Sequence, residues 1–294
     1  MDRRPRVLVT NAEERSILAV CRSLSQAGYE VTSVSGSRLA AAAWSRSSSR
    51  RLLVADTRDD AGEFVEQLRQ ELNRRPYATL IAGSDSALLA VSRGREQLRE
   101  LTELGLPPAP VLERALSREV LAEAAARAGF SAAVSIRCTD AVEARKAAHR
   151  FGFPVVLKST HAATLGARTV ASAPKGQIVS SERELIRAAP AFGEQLLVQR
   201  WAGDELISFG GVIADGRLLG VAVSRYRRMW PPPSGSVTFS ETISPPGELE
   251  GMVQQLLATV GWEGIFELEV ISSKEGEFVP IDLNPRPYGS MALG

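Results

Sequence analysis

The chain has 294 residues, 44% of them apolar, with 35 Lys and Arg against 34 Asp and Glu. That length suits about two domains, and a net charge of +1 provides no global pull toward nucleic acid or an anionic membrane surface. Two cysteines, Cys21 and Cys138, and two histidines, His149 and His161, exclude a disulfide framework, a Cys-rich zinc centre and a His-rich metal site, so catalysis must rest on carboxylates, Lys, Arg and a bound metal. No apolar run is long enough to span a bilayer, and Met1-Asp2-Arg3-Arg4 leads into a strand-like segment rather than a signal-peptide core. The expectation is a soluble, cytoplasmic protein with neither nucleic-acid nor membrane partners.

Residues 6–10 (RVLVT) read as a first strand. Ile17, Leu18, Val20, Cys21 and Leu24 follow at helical spacing, and Gly28 ends that helix. Residues 29–34, 52–56 and 79–83 read as further strands, with a helix over 62–72. Strands alternating with helices predict a parallel, doubly wound sheet. Its first turn has no G-x-G-x-x-G, so a dinucleotide site, and with it a dehydrogenase, is not expected. Pro107, Pro108 and Pro110 predict a linker without room for a helix. Next come a helix over 117–128, capped by Ser117 and stopped by Gly129, and another over 141–149. A strand at 155–158, a small-residue loop over 160–168, a helix over 180–188 and a strand over 196–201 continue the pattern. Strands at 206–213 and 218–225 flank the turn Asp215-Gly216; a Pro/Gly loop, a helix over 247–260 and a second hairpin at 265–272 and 277–283 complete the chain.

Chemistry concentrates in that second hairpin. On a strand, Glu267 and Glu269 share one face, as do Asp282 and Asn284 on the partner strand. Pairing brings one Glu opposite this pair, a set of hard oxygen donors suited to Mg²⁺ or Mn²⁺ with nucleotide phosphates completing the shell. The same acids also fit an ordinary solvent-facing hairpin. Arg286, held between Pro285 and Pro287, suits a transferring phosphoryl group or an acyl phosphate, and equally a surface ion pair.

The run FELEVISSKEGEFVPIDLNPRPYGS (266–290) resembles the metal-binding hairpin and Asn-Pro-Arg motif of the ATP-grasp superfamily, most closely its carboxylate-amine ligase and carbamoyl-phosphate-synthase-like branch. The resemblance implies that Glu269, Asp282 (where Glu is more usual) and Asn284 hold magnesium, and that Arg286 contacts phosphate or substrate. Residues 153–158 (FPVVLK) are similar to the family strand whose Lys, here Lys158, reaches the ATP phosphates, and the loop after it to the one that covers them. Arg118 stands where the family usually has Lys, which implies that it joins Lys158 in neutralising the ATP phosphates. Residues 197–205 resemble the adenine hinge, implying nucleotide contacts from Gln199, Arg200 and Ala202 and a ribose contact from Glu205. The basic run 224–228 resembles a segment facing the acyl-phosphate or acceptor pocket, which implies roles for Arg225 and Arg228.

The implied architecture mixes α/β and α+β: a Rossmann-like pre-ATP-grasp domain over 1–110, then a two-lobed ATP-grasp fold over 111–294, with lobes at 111–192 and 193–294. It is short at the C-terminus, since the chain stops at Gly294 where relatives usually continue. The implied activity is ATP- and Mg²⁺-dependent: a small-molecule carboxylate is activated as an acyl phosphate and passed to an amine, giving an amide, ADP and phosphate. A bicarbonate-using or carbamoyl-phosphate-type enzyme, and a catalytically silent ATP-binding protein, are the alternatives. A homodimer is compatible with the sequence.

Overall fold

The structure, a computed structural model, describes residues 4–161, 163–165, 170–172, 176–201, 203, 205–230, 236–273 and 276–293. It begins with β1 (Arg6–Val9), α1 (Arg15–Gln26), β2 (Glu30–Ser35), β3 (Arg50–Leu53), α2 (Ala61–Arg74), β4 (Thr79–Ile81), α3 (Asp85–Arg93), α4 (Arg95–Leu98) and β5 (Glu103–Leu104). The five strands form the expected parallel sheet, in the order β3-β2-β1-β4-β5. Both faces are covered, as such sheets require: Leu8 packs with Phe64, Leu68 and Leu88, while Val7 and Val9 pack with Ile17 and Cys21 of α1. At the carboxyl ends of β1 and β4, Gly83 approaches Thr10 so closely that a Cβ would lie 2.5 Å from the Thr10 carbonyl oxygen. The next residue, Ser84, caps α3 by accepting from the Ala87 N–H, which places Asp85 in the first helical turn.

The expected linker is corrected in one respect, because α5 (Ala109–Leu116) starts inside it. Pro110 lies in its first turn, where a missing N–H leaves no intrahelical bond unmade. Then follow α6 (Arg118–Arg127), whose Ser117 cap accepts from Val120, β6 (Ser135–Cys138), α7 (Ala141–Phe151), β7 (Val155–Ser159), β8 (Ala163–Leu165), β9 (Val170–Ser172), β10 (Gln177–Val179), α8 (Glu182–Ala188) and β11 (Leu196–Arg200). Strands β10-β7-β11-β6 form an antiparallel sheet. Its Val155, Leu157, Leu196 and Val198 bury against Ala144, Ala148 and Leu185 of α7 and α8. Period-two alternation therefore turns Val156, Lys158, Leu197 and Gln199 to the other face. Part of the expected phosphate-covering loop is β8, paired with β9; residues 162 and 166–169 lie outside the described residues.

The last sheet comprises β12 (Glu205–Ala214), β13 (Arg217–Trp230), β14 (Ser236–Thr242) and, after α9 (Leu249–Val260), β15 (Gly264–Ser272) and β16 (Phe278–Asn284), ordered β14-β13-β12-β15-β16. Asp215 and Gly216, with φ of 51° and 69°, make the two-residue turn between β12 and β13. One face of this sheet, with Ile207, Phe209, Val223, Phe266, Leu268 and Leu283, joins Val253 and Leu257 of α9 and Leu121 of α6 in the main core. Cys21 and Cys138 are free and buried, and burial pushes both thiols up to about 11, so they are inert packing groups. Among the described residues no helix is long and apolar enough to cross a membrane.

Candidate active site

The opposite face of that last sheet is polar. Register places Glu269 directly across from Asp282 and Glu267 across from Asn284, while Ser208 pairs with Glu269 on one side and Ser224 on the other. Directly paired residues share a face, so Asp282, Glu269, Ser208 and Ser224 form one polar row across four strands. Glu267 is only 3% exposed, and a charge this deep requires donors. Ser208 Oγ donates to its Oε1 at 2.5 Å, Ser290 Oγ at 3.2 Å and Tyr226 Oη at 3.0 Å, while Asn284 Nδ2 donates to Oε2 at 2.9 Å. Tyr226 Oη also stands 3.3 Å from Glu269 Oε1. Burial, followed by the Glu269 and Glu267 charges, holds this phenol well above its usual pKa, so Tyr226 is a donor at every physiological pH.

Cations reach this row from outside the sheet. Lys158, 8% exposed on the cleft face of β7, donates to the Ile281 carbonyl of β16 at 2.7 Å. Arg118, the first residue of α6, donates to Ser159 O at 2.6 Å and to Asp282 Oδ2 at 3.3 Å. Its backbone N–H bonds Thr160 O, so α6 anchors the end of β7 as well as touching the carboxylates. Burial lowers the Lys158 pKa against the pull of Asp282 and Glu269. The converse holds at Glu269, which burial and then the Glu267 and Asp282 charges push up to about 8.

That pressure is the test of fit for a divalent cation. Glu269 and Asp282 face one another, Asn284 follows on the same strand, and the donor set is oxygen only, the chemistry of magnesium or manganese. Among the described residues no group of three or more His, Cys, Asp or Glu side chains is placed to hold a metal.

The remaining sequence-derived residues divide. Gln199 is buried on the cleft face of β11, but the Arg200 N–H is engaged by Val134 O at 2.9 Å, and Ala202 lies outside the described residues. Arg286 lies beside the cluster, its Nε and Nη2 held by Asp85 at 2.8 and 3.3 Å. The structure does not bring Arg225 to the row. It pairs with Ile207, on the face opposite Tyr226, and its Nε lies 2.9 Å from Glu205 Oε1. The carboxylate expected at the ribose is thus already engaged, and Arg228 is exposed near the far end of β13. Tyr226, Ser208, Ser290 and Asp85 were not singled out from the sequence. Alternation about Ser208 and within 224–228 carried a signal for the first two.

This chain has the ATP-grasp fold. Among solved structures it is similar to an L-amino acid ligase from Bacillus licheniformis, with a TM-score of 0.72 and 15% identity over 100% of this chain and 70% of that one. It is also similar to N5-carboxyaminoimidazole synthetase from Staphylococcus aureus, with a TM-score of 0.70 and 12% identity over 97% of this chain and 71% of that one. Biotin carboxylase from Campylobacter jejuni, in a complex with a β,γ-ATP ligand, gives a TM-score of 0.72 and 15% identity over 98% and 66% of the two chains. No family model matches the chain, and no curated protein matches it in sequence.

Proposed function

We propose that the protein is an ATP-dependent ligase that activates a small-molecule carboxylate as an acyl phosphate for capture by an amine. One observation carries this reading: two facing carboxylates, Glu269 and Asp282, on one sheet meet Lys158 of a second sheet and Arg118 of α6, so that opposite charges gather where the two sheets approach. Glu269, Asp282 and Asn284 would hold magnesium, which when bound draws charge from phosphate oxygens and neutralises it. Lys158 and Arg118 supply fixed positive charge where phosphates would lie, and the negative charge of a phosphate would offset the cost of burial that depresses the Lys158 pKa. A substrate carboxylate oxygen bonds to the γ-phosphorus as the bond to the bridging oxygen breaks, releasing ADP. The amine nitrogen then attacks the acyl carbon, phosphate leaves, and the amine proton passes to solvent. No enzyme nucleophile is needed, in keeping with a cleft of carboxylates, cations and hydroxyls.

The L-amino acid ligase among the structural neighbours points to amino acids as the first carboxylates to try. Amino acids and short peptides, screened in pairs for magnesium-dependent ADP release, should contain a productive pair. Asn284→Ala should then abolish turnover; undiminished release by that variant would refute the metal assignment. Release with bicarbonate in place of any organic carboxylate would move the protein to the carboxylase side of the fold.

A further inference from the structure

Arg286 occupies the Asn-Pro-Arg motif, yet little of its hydrogen-bonding capacity remains for a ligand. A guanidinium has five N–H donors. Nε bonds Asp85 Oδ1 at 2.8 Å, Nη2 bonds Asp85 Oδ2 at 3.3 Å and Asn284 Oδ1 at 3.2 Å, and Nη1 bonds Pro287 O at 3.1 Å. Four donors are engaged and one, on Nη1, is left. The ion pair is largely withdrawn from water, with side chains 24% and 16% exposed for Arg286 and Asp85. Asp85 belongs to the parallel-sheet unit, 201 residues away in sequence, and its place in the first turn of α3 is fixed by the Ser84 cap.

The amide of Asn284 explains what this pair does. Arginine only donates, so the Asn284 atom facing it must be Oδ1. Nδ2 then faces Glu267 Oε2, where it donates at 2.9 Å. We infer that Asp85 is a positioning residue: by clamping Arg286 it fixes the donor that the Asn284 amide oxygen accepts from, while the amide nitrogen faces Glu267, so that the second lone pair of Oδ1 is held in one direction for a cation. The inference rests on the proposed role of Asn284 as a metal ligand and adds a device to it. Asp85, Arg286, Asn284 and Glu267 form one line of charge-assisted bonds from the parallel sheet to the carboxylate row. Without Asp85 the guanidinium loses its anchor, and the amide, still held through Nδ2 by Glu267, loses the fixed donor that sets the direction of its oxygen. The simpler role for Asp85, an acid favoured by the positive end of a helix, would make it indifferent to metal.

The two roles separate in binding measurements on the full chain, without any identified substrate. Mn²⁺ binding in the presence of ADP is read by electron paramagnetic resonance, and ADP binding without metal by calorimetry. Asp85→Asn should weaken Mn²⁺ binding about tenfold, the scale for losing a partner behind a ligand, and leave metal-free ADP affinity unchanged. Asp85→Glu, which keeps the charge, should restore most of the loss and serves as the test if the Asn variant does not fold. In an Asn284→Ala background, Asp85→Asn should have no further effect on Mn²⁺. Wild-type Mn²⁺ affinity in Asp85→Asn, or an equal loss of metal-free ADP binding, overturns the inference. If Asn284→Ala itself leaves Mn²⁺ affinity unchanged, the metal assignment fails first, and the two failures are thereby told apart.

Discussion

The two faces of the last sheet differ in what their neighbours demand. On the helix face, Phe209 and Phe266 stack with centroids 6.4 Å apart against α9 and α6, and each is fully buried. On the cleft face, at adjacent positions of the same strands, lie Ser208, Glu267 and Glu269. The first face is stable because its centre is apolar, with Arg225 and its acidic partners confined to a partly exposed margin. The second holds like charges close together, tolerable only with hydroxyl donors around Glu267 and cations at Asp282. One face stabilises the fold, and the other stores an electrostatic imbalance that a bound cation would relieve.

If that division holds, each face should fail in its own way. The largest effect is expected at Phe209→Ala, which removes a stacked ring from a core with no solvent access. Unfolding in urea should show a loss of about 3–5 kcal/mol, while Mn²⁺ binding per folded molecule is retained; loss of metal binding at full stability would show that the faces are not separable. An effect of comparable size but opposite kind is expected at Glu269→Gln. The ordinary value of this carboxyl is 4.5, and in the folded chain it stands at about 8. Below 4.5 both states hold the proton. Between these limits only the folded state holds it, so stability without metal falls as pH rises and levels off above 8. The slope for one proton is at most about 1.4 kcal/mol per pH unit. Thermal unfolding in a chelator at several pH values should show the decline in wild type and a flatter profile in Glu269→Gln. Identical profiles would mean that Glu269 does not carry the imbalance.

Much of this division was legible in the sequence. Alternation in FELEV separates Phe266, Leu268 and Val270 from Glu267 and Glu269, and the core residues fall on one side as that pattern requires. The parallel sheet was also legible, apart from β5, whose two residues carry no periodicity, and β3, which lies at Arg50–Leu53 rather than over 52–56. Helix α5 was hidden because Pro110 reads as a breaker, although a first-turn proline does not break a helix. The role of Asp85 could not be read locally, and that of Arg118 was implied only by the family resemblance. Each sits in the first turn of a helix behind a Ser cap and looks like an ordinary helix start. Only the tertiary approach of α3 and α6 to β16 gives them partners 201 and 164 residues away.

Arg225 is the finest test of the comparison, because resemblance and alternation disagree about it. The resemblance places a basic residue of this run near the transferred group. Alternation puts Arg225 on the helix side of the strand, beside Glu205 at 2.9 Å and Glu241 at 3.8 Å, with all three side chains between 30% and 41% exposed. Ion pairs this accessible contribute between nothing and about 1 kcal/mol. Arg225→Ala should therefore shift the urea midpoint slightly and change magnesium-dependent ADP release no more than a few-fold, while Tyr226→Phe on the cleft face, which removes the hydroxyl shared by Glu267 and Glu269, serves as the control with the larger effect. A collapse of turnover in Arg225→Ala at normal stability would mean that the strand turns over on closing around nucleotide, since an arginine on the helix side has no other route to the phosphates.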